Sequence, residues 1–152
     1  MTTDIGAPAP EFSLRDSNLA EVRLTDFRDR RAVVLVFYPF AFTPTCTGEL
    51  CAIRDDLASL ENDRVQVLAV SCDPPATLRA FASSQSLSYP LLSDFWPHGA
   101  AARAYGVFNE TIGAAVRGTF IIDREGLLRW QVVNAIPDPR DVAEYKTALA
   151  AL

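Results

Sequence analysis

One cysteine in this chain sits where it could act as a nucleophile. Pro39, Thr43 and Cys46 stand as P-x-x-x-T-x-x-C within the stretch Tyr38–Cys51. Upstream lies Val33-Val34-Leu35-Val36-Phe37, β-branched and aromatic enough to be a buried strand. Downstream, Leu50, Ile53, Arg54, Leu57 and Leu60 recur at helical spacing, which predicts a helix with Cys46 in its first turn. A thiol there feels the positive end of the helix dipole and unpaired backbone N–H groups, and both favour thiolate. A free cysteine is most often just a small buried hydrophobe. The proline and the threonine hydroxyl on the same strand-to-helix loop point instead to thiolate chemistry.

The elements needed to position such a loop can be read on either side of it. Phe12-Ser13-Leu14 and Val22-Arg23-Leu24 alternate around Asp16-Ser17-Asn18, an N-terminal hairpin, and Thr25-Asp26 caps a short turn. The strand 33–38 leads into the helix at Cys46, which is expected to reach Glu61 or Asn62. Val65–Ser71 is a second central strand, broken by Cys72-Asp73-Pro74-Pro75, and Pro75 opens a helix with Leu78, Phe81 and Ala82 on one face. Leu87–Asp94 is a connector with a short strand, followed by an Ala-rich helix to about Tyr105. Gly118–Asp123 and Leu127–Val133 flank the hairpin turn Arg124-Glu125-Gly126. A closing helix after Pro139 carries Val142, Tyr145, Leu149 and Leu152. Strand-helix-strand, helix, β-hairpin and helix is the order of an α/β protein with the thioredoxin fold, here with an N-terminal hairpin added.

Bulk composition limits the function classes. A chain of 152 residues suits a single domain, 1–152, able to bury roughly 70% of its unfolded surface. A formal charge of −5 without a basic cluster argues against nucleic acid. No run of 18 apolar residues and no signal peptide is visible, so no membrane span is expected. Three cysteines, an odd number, suit reduced cytoplasmic thiols better than a secreted disulfide framework. With His98 as the single histidine, metal-centre, haem and Cys-His protease readings lose a ligand or a base. No cofactor is implied.

The motif around Cys46 resembles the active site of the peroxiredoxins, and the resemblance runs along almost the whole chain. It is carried by Gly6–Phe12, by Pro39, Thr43 and Cys46, by Pro90–Asp94 and by Arg117-Gly118-Thr119-Phe120. Ser93–Ala100 and Tyr105–Glu110 look most like the AhpE-type subfamily. That type usually works with one cysteine, whereas Cys51 here lies five residues after Cys46, the spacing of the bacterioferritin-comigratory (PrxQ) type. The resemblance implies that Cys46 is the peroxidatic nucleophile, that Pro39 shields its thiolate and that Thr43 orients the peroxide. It also implies that Arg117 is the buried active-site arginine and that Glu49 is a polar group bonded to it. Arg140 is sometimes invoked by analogy, but no motif surrounds it.

Attack of a thiolate on hydrogen peroxide or an organic hydroperoxide leaves a sulfenic acid. Either Cys51 condenses with it and a thioredoxin-like or mycoredoxin-like dithiol reopens the disulfide, or Cys51 is core and an external thiol such as mycothiol resolves it. A peroxide sensor without fast turnover, and a binding module without redox chemistry, are the competing classes. A Cys-x-x-Cys oxidoreductase is disfavoured because Thr43 stands where its first cysteine would be. Cys72 ends an apolar strand and reads as core, and His98 reads as a capping or interface residue. Phe42, Trp96, Pro97 and Phe108 concentrate large apolar groups in loops, and the resemblance implies that such loops pack in a homodimer.

Overall fold

In the computed structural model, residues 4–152 are described. The described residues form nine strands and five α-helices: β1 (Ser13–Asp16), β2 (Glu21–Arg23), β3 (Ala32–Phe37), α1 (Pro44–Asp55), α2 (Leu57–Leu60), β4 (Val65–Ser71), α3 (Pro75–Gln85), β5 (Leu91–Ser93), α4 (Ala100–Ala104), β6 (Phe108–Asn109), β7 (Ala114–Ala115), β8 (Arg117–Ile122), β9 (Leu128–Asn134) and α5 (Val142–Ala150). Seven of the strands form one mixed sheet in the order β2-β1-β5-β4-β3-β8-β9, and β6 and β7 form a separate two-stranded ladder. The sheet with helices on both faces is a thioredoxin fold. Among the described residues no helix is long and apolar enough to cross a membrane.

Central position explains the composition of β3. All six of its residues are buried, as a strand covered on both faces requires, so it reads as a continuous apolar run. Its side chains still alternate between two cores. Val33, Leu35 and Phe37 pack with Leu68, Val70, Phe120 and Tyr105. Val34 and Val36 face Val67, Ala69 and Ile121 under Leu50, Ile53, Leu78 and Phe81 of α1 and α3. Helix α1 meets that second core with Cys46, Glu49, Leu50 and Ile53, spaced i, i+3, i+4 and i+7.

Strand direction brings the future site together. β4 runs parallel to β3 with Phe37 level with Val70, whereas β8 runs antiparallel with Val36 level with Thr119. The C-terminal ends of β3 and β4 and the N-terminal end of β8 therefore lie on one edge. Continuing that register sets Arg117 level with Tyr38, where the loop to α1 begins.

Several expected boundaries move. The single helix expected from Cys46 to Glu61 or Asn62 is broken at Asp56, which leaves the helical region at φ −116°, ψ 15° and pairs with Lys146 of α5. The last hairpin is shifted by a residue on each side of the turn. There Gly126 has φ +85°, and the Asp123 carboxylate accepts from the N–H groups of Glu125 and Leu127. Leu152, expected on the apolar side of the closing helix, lies beyond α5 and is exposed. The β6–β7 ladder was not expected, since two-residue strands carry no readable period.

Candidate active site

Cys46 is the third residue of α1 and is completely buried. Pro44 begins the helix, Thr43 is its N-cap in extended conformation, and no side chain caps it. The first helical hydrogen bond runs from Thr47 N–H to Thr43 O at 2.9 Å. The amides of Thr45 and Cys46 thus lie in the turn whose N–H groups have no helical acceptor, where an oxyanion can be received. Pro39 is buried directly after Tyr38. The Thr43 hydroxyl donates to Phe40 O at 2.8 Å. Its proton is engaged, so its oxygen is left to accept from a hydroperoxide O–H.

Beneath the thiol lies a buried charge cluster. Arg117 Nη1 is 3.3 Å from Cys46 Sγ and donates to Glu49 Oε1 at 2.5 Å, while Arg117 Nε donates to Ile136 O at 2.5 Å. Glu49 is also bound, through more hydrogen bonds, by Arg140, a residue without a motif. The Arg140 N–H and Nε donate to Glu49 Oε2 at 2.7 and 2.9 Å, and Nη2 donates to Oε1 at 2.9 Å. Arg140 Nη1 donates to the Phe37 and Gly118 carbonyls and to Thr119 Oγ1, joining β3 to β8. Burial alone would raise the Glu49 pKa, but the hydrogen bonds and charge of Arg140, then the charge of Arg117, hold it below its ordinary value. One carboxylate faces two guanidiniums, so the cluster keeps a net positive charge, which Arg117 directs at Cys46 Sγ.

Of the sequence-predicted residues, Pro39, Thr43, Cys46, Glu49 and Arg117 converge on this one end of the sheet. Cys51 does not. Five residues along a helix turn the side chain by about 140° and raise it about 7.5 Å. Its Sγ points to Gln85 Oε1 of α3 at 3.5 Å, and all three cysteines are free thiols. Cys72 is buried just past the end of β4, and burial first, then the charges of Asp94 and Asp73, push its thiol up to about 12. His98 sets its two ring nitrogens 3.1 and 2.7 Å from the Phe95 and Gly113 carbonyls, which ties two surface loops together. Sequence reading missed Arg140, since nothing around Asp138-Pro139-Arg140-Asp141 announces it. The one available signal concerned its partner: Glu49 falls on the same helical stripe as Cys46, Leu50 and Ile53, where a carboxylate needs buried cations.

Fold and site together define a thioredoxin-fold protein built around one thiol beside a guanidinium. The AhpC/TSA family model matches residues 5–131, and the chain belongs to that family, the peroxiredoxins. It is 48% identical over 149 residues to alkyl hydroperoxide reductase E of Mycobacterium tuberculosis (strain H37Rv), covering 98% of this chain and 97% of that one. It is 39% identical over 127 residues to peroxiredoxin Bcp of Escherichia coli (strain K12), covering 80% of each. The crystal structure of peroxidoxin BcpB from M. tuberculosis superposes with a TM-score of 0.87 at 30% identity, covering 99% of this chain and 98% of that one. Enterococcus faecalis AhpC superposes with a TM-score of 0.90 at 27% identity, covering 99% of this chain and 92% of that one. The protein is a thiol-dependent peroxidase of the AhpE type, with peroxide as substrate class and a thiol as reductant. The sensor reading is not favoured.

Proposed function

We propose that Cys46 is the peroxidatic nucleophile for hydrogen peroxide and small organic hydroperoxides. Its thiolate sulfur attacks one peroxide oxygen, the O–O bond breaks, and the second oxygen leaves as hydroxide or alkoxide that takes up a proton. Cys46 is left as a sulfenic acid. Thr43 Oγ accepts from the peroxide O–H, and the N-terminal amides of α1 and the Arg117 guanidinium receive the charge growing on the oxygens. Pro39 keeps water from the sulfur, and Glu49 fixes Arg117 in place. The observation that carries this reading is the Arg117 Nη1 to Cys46 Sγ distance of 3.3 Å within a fully buried cluster.

Condensation of the sulfenic acid with a second thiol forms a disulfide and releases water. We assign Cys51 as that thiol, with a thioredoxin-like or mycoredoxin-like dithiol to reduce the disulfide. A low-molecular-weight thiol is the alternative. Three free thiols fit a reducing compartment, the cytoplasm. The whole chain is read as one domain, acting as a homodimer. Phe42 and Trp96, 53% and 82% exposed, supply apolar surface for a second copy, and sedimentation equilibrium checks the dimer.

Stopped-flow oxidation of the reduced protein by peroxide tests the central assignment. Fast oxidation with turnover is expected, abolished in Cys46→Ser with the fold intact. Wild-type consumption of peroxide by Cys46→Ser would transfer the role to Cys51 or Cys72.

A further inference from the structure

The loop carrying Pro39 and Thr43 is held at a single polar point. β3 ends its ladder with Tyr38 N–H to Val70 O at 3.0 Å, and Pro39 has no N–H to give. The Tyr38 hydroxyl is buried without a hydrogen-bond partner, and the Thr43 hydroxyl bonds only within the loop, to Phe40 O. Among the described residues, the one hydrogen bond joining residues 39–42 to another element is from Ala41 N–H to Asp73 Oδ2, at 2.9 Å. The residue that follows, Phe42, has φ +71°, a strained conformation for a side chain branching into a ring, and it packs on Phe81 of α3 with ring centroids 5.1 Å apart. Strain of this kind persists only where the surroundings fix it.

Asp73 is itself braced. Ser71 Oγ donates to the same Oδ2 at 2.7 Å, and Ser93 Oγ of β5 donates to the Asp73 carbonyl at 2.7 Å. Asp94 N–H in turn donates to Ser71 O at 2.8 Å. Asp73 is therefore fixed by its carboxylate to the end of β4 and by its carbonyl to the end of β5, on the same sheet edge as the loop.

We propose that Asp73 is a positioning residue for the peroxide step: by receiving the Ala41 N–H it holds the strained 39–43 loop in the one arrangement that sets Pro39 and Thr43 against Cys46. This rests on the assignment of Cys46 as nucleophile and adds a residue outside the motif. Loosening the loop has two opposed effects, since it also opens a path to a buried sulfur. Loop motions of nanoseconds to microseconds already admit a small peroxide, so access is not the slow event. A misplacement of about 1 Å in the groups lining the sulfur, by contrast, costs on the order of a hundredfold in rate. Positioning wins, and the peroxide step slows.

Two measurements on Asp73→Ala and Asp73→Asn test this. The first is hydrogen exchange of residues 40–47 in the reduced protein. The second is the rate constant of Cys46 oxidation by hydrogen peroxide on its alkaline plateau. In Asp73→Ala the loop amides are expected to exchange about tenfold faster or more while β3 and β8 keep their protection, and the rate to fall roughly ten- to a hundredfold. Asp73→Asn keeps an oxygen that accepts from Ala41 N–H, so it should recover most of both. Unchanged loop exchange or an unchanged rate in Asp73→Ala would overturn the proposal. So would an equal loss in Asp73→Asn, or faster exchange throughout the sheet, which marks a merely structural role. Should Asp73→Ala not fold, Ser71→Ala removes the brace and decides by the same two readouts, with no change in either counting against the proposal. Exchange needs no peroxide chemistry, so an inert wild-type Cys46 would sink the functional reading separately from the anchor.

Discussion

Chemistry at a residue is set here by what surrounds each sulfur rather than by sequence distance alone. Cys46 and Cys72 are both buried, yet Cys46 meets a guanidinium and open helix amides while Cys72 faces two carboxylates. Nucleophilicity needs a thiolate, so a Cys72 thiol pushed up to about 12 stays protonated and inert near neutral pH. The role proposed for Arg117 is to stabilise the charge on the departing oxygen. Arg117→Ala is expected to slow Cys46 oxidation about a hundredfold or more even on the alkaline plateau, where every molecule holds a thiolate. The measurement is the second-order rate against pH, and full recovery of the wild-type rate at high pH would reduce Arg117 to a tuner of ionisation.

At the scale of the element, α1 has conflicting duties. Its first turns must be helical to present Cys46, but a Cys46–Cys51 disulfide needs the Cβ atoms roughly 4 Å apart, which an intact helix does not allow. For the proposed disulfide to form, at least one turn must open. Glu49 lies between the two cysteines, so opening also pulls its carboxylate from Arg117 and Arg140. Gly48 works in the other direction. A Cβ built there would meet nothing within 4 Å, so packing does not demand a glycine, and it costs the helix about 1 kcal/mol against alanine. After one equivalent of peroxide, digestion without reductant should yield a linked Cys46–Cys51 peptide, lost in Cys51→Ala with over-oxidised Cys46 accumulating instead. Gly48→Ala should slow the linkage by about fivefold, the rate equivalent of that propensity difference. A stable Cys46 sulfenic acid in the wild type would assign resolution to an external thiol.

At the scale of the whole molecule the same cluster contributes to acid stability, because Arg140 joins β3 to β8 while it holds Glu49. The Glu49 pKa is held below its ordinary 4.5 in the folded state. Its contribution to stability is therefore complete above 4.5 and is lost as pH falls from there through the lower folded value. Glu49→Gln should lose about 3–5 kcal/mol near neutral pH, the cost of leaving buried charge without its partner. Its stability should then fall less steeply than that of the wild type below 4.5. Denaturant titrations of both proteins at pH values across that range check the difference, and parallel profiles would remove Glu49 from the acid response.

Much of this arrangement can be read along the chain. The buried run Val33–Phe37, the helical stripe after Cys46 and the Pro39, Thr43 and Cys46 spacing are local patterns, and local patterns follow from periodicity and turn chemistry. Helix ends and two-residue strands were harder to read, because Asp56 breaks the helix where α5 packs against it and because β6 and β7 are too short to show a period. The family resemblance named Arg117 and its bond to Glu49, but no local pattern marks Arg140 or Asp73. Arg117, Arg140 and Asp73 come from the start of β8, the loop before α5 and the loop just after β4, separated from Cys46 by 71, 94 and 27 residues. Sequence alone determined a thiol at a helix start with a hydroxyl beside it. The tertiary structure decided what surrounds that thiol, because antiparallel β8 and parallel β4 bring opposite ends of their strands to one edge. Whether a buried arginine finds its carboxylate depends on that three-dimensional register, which leaves no mark on the residues next to it.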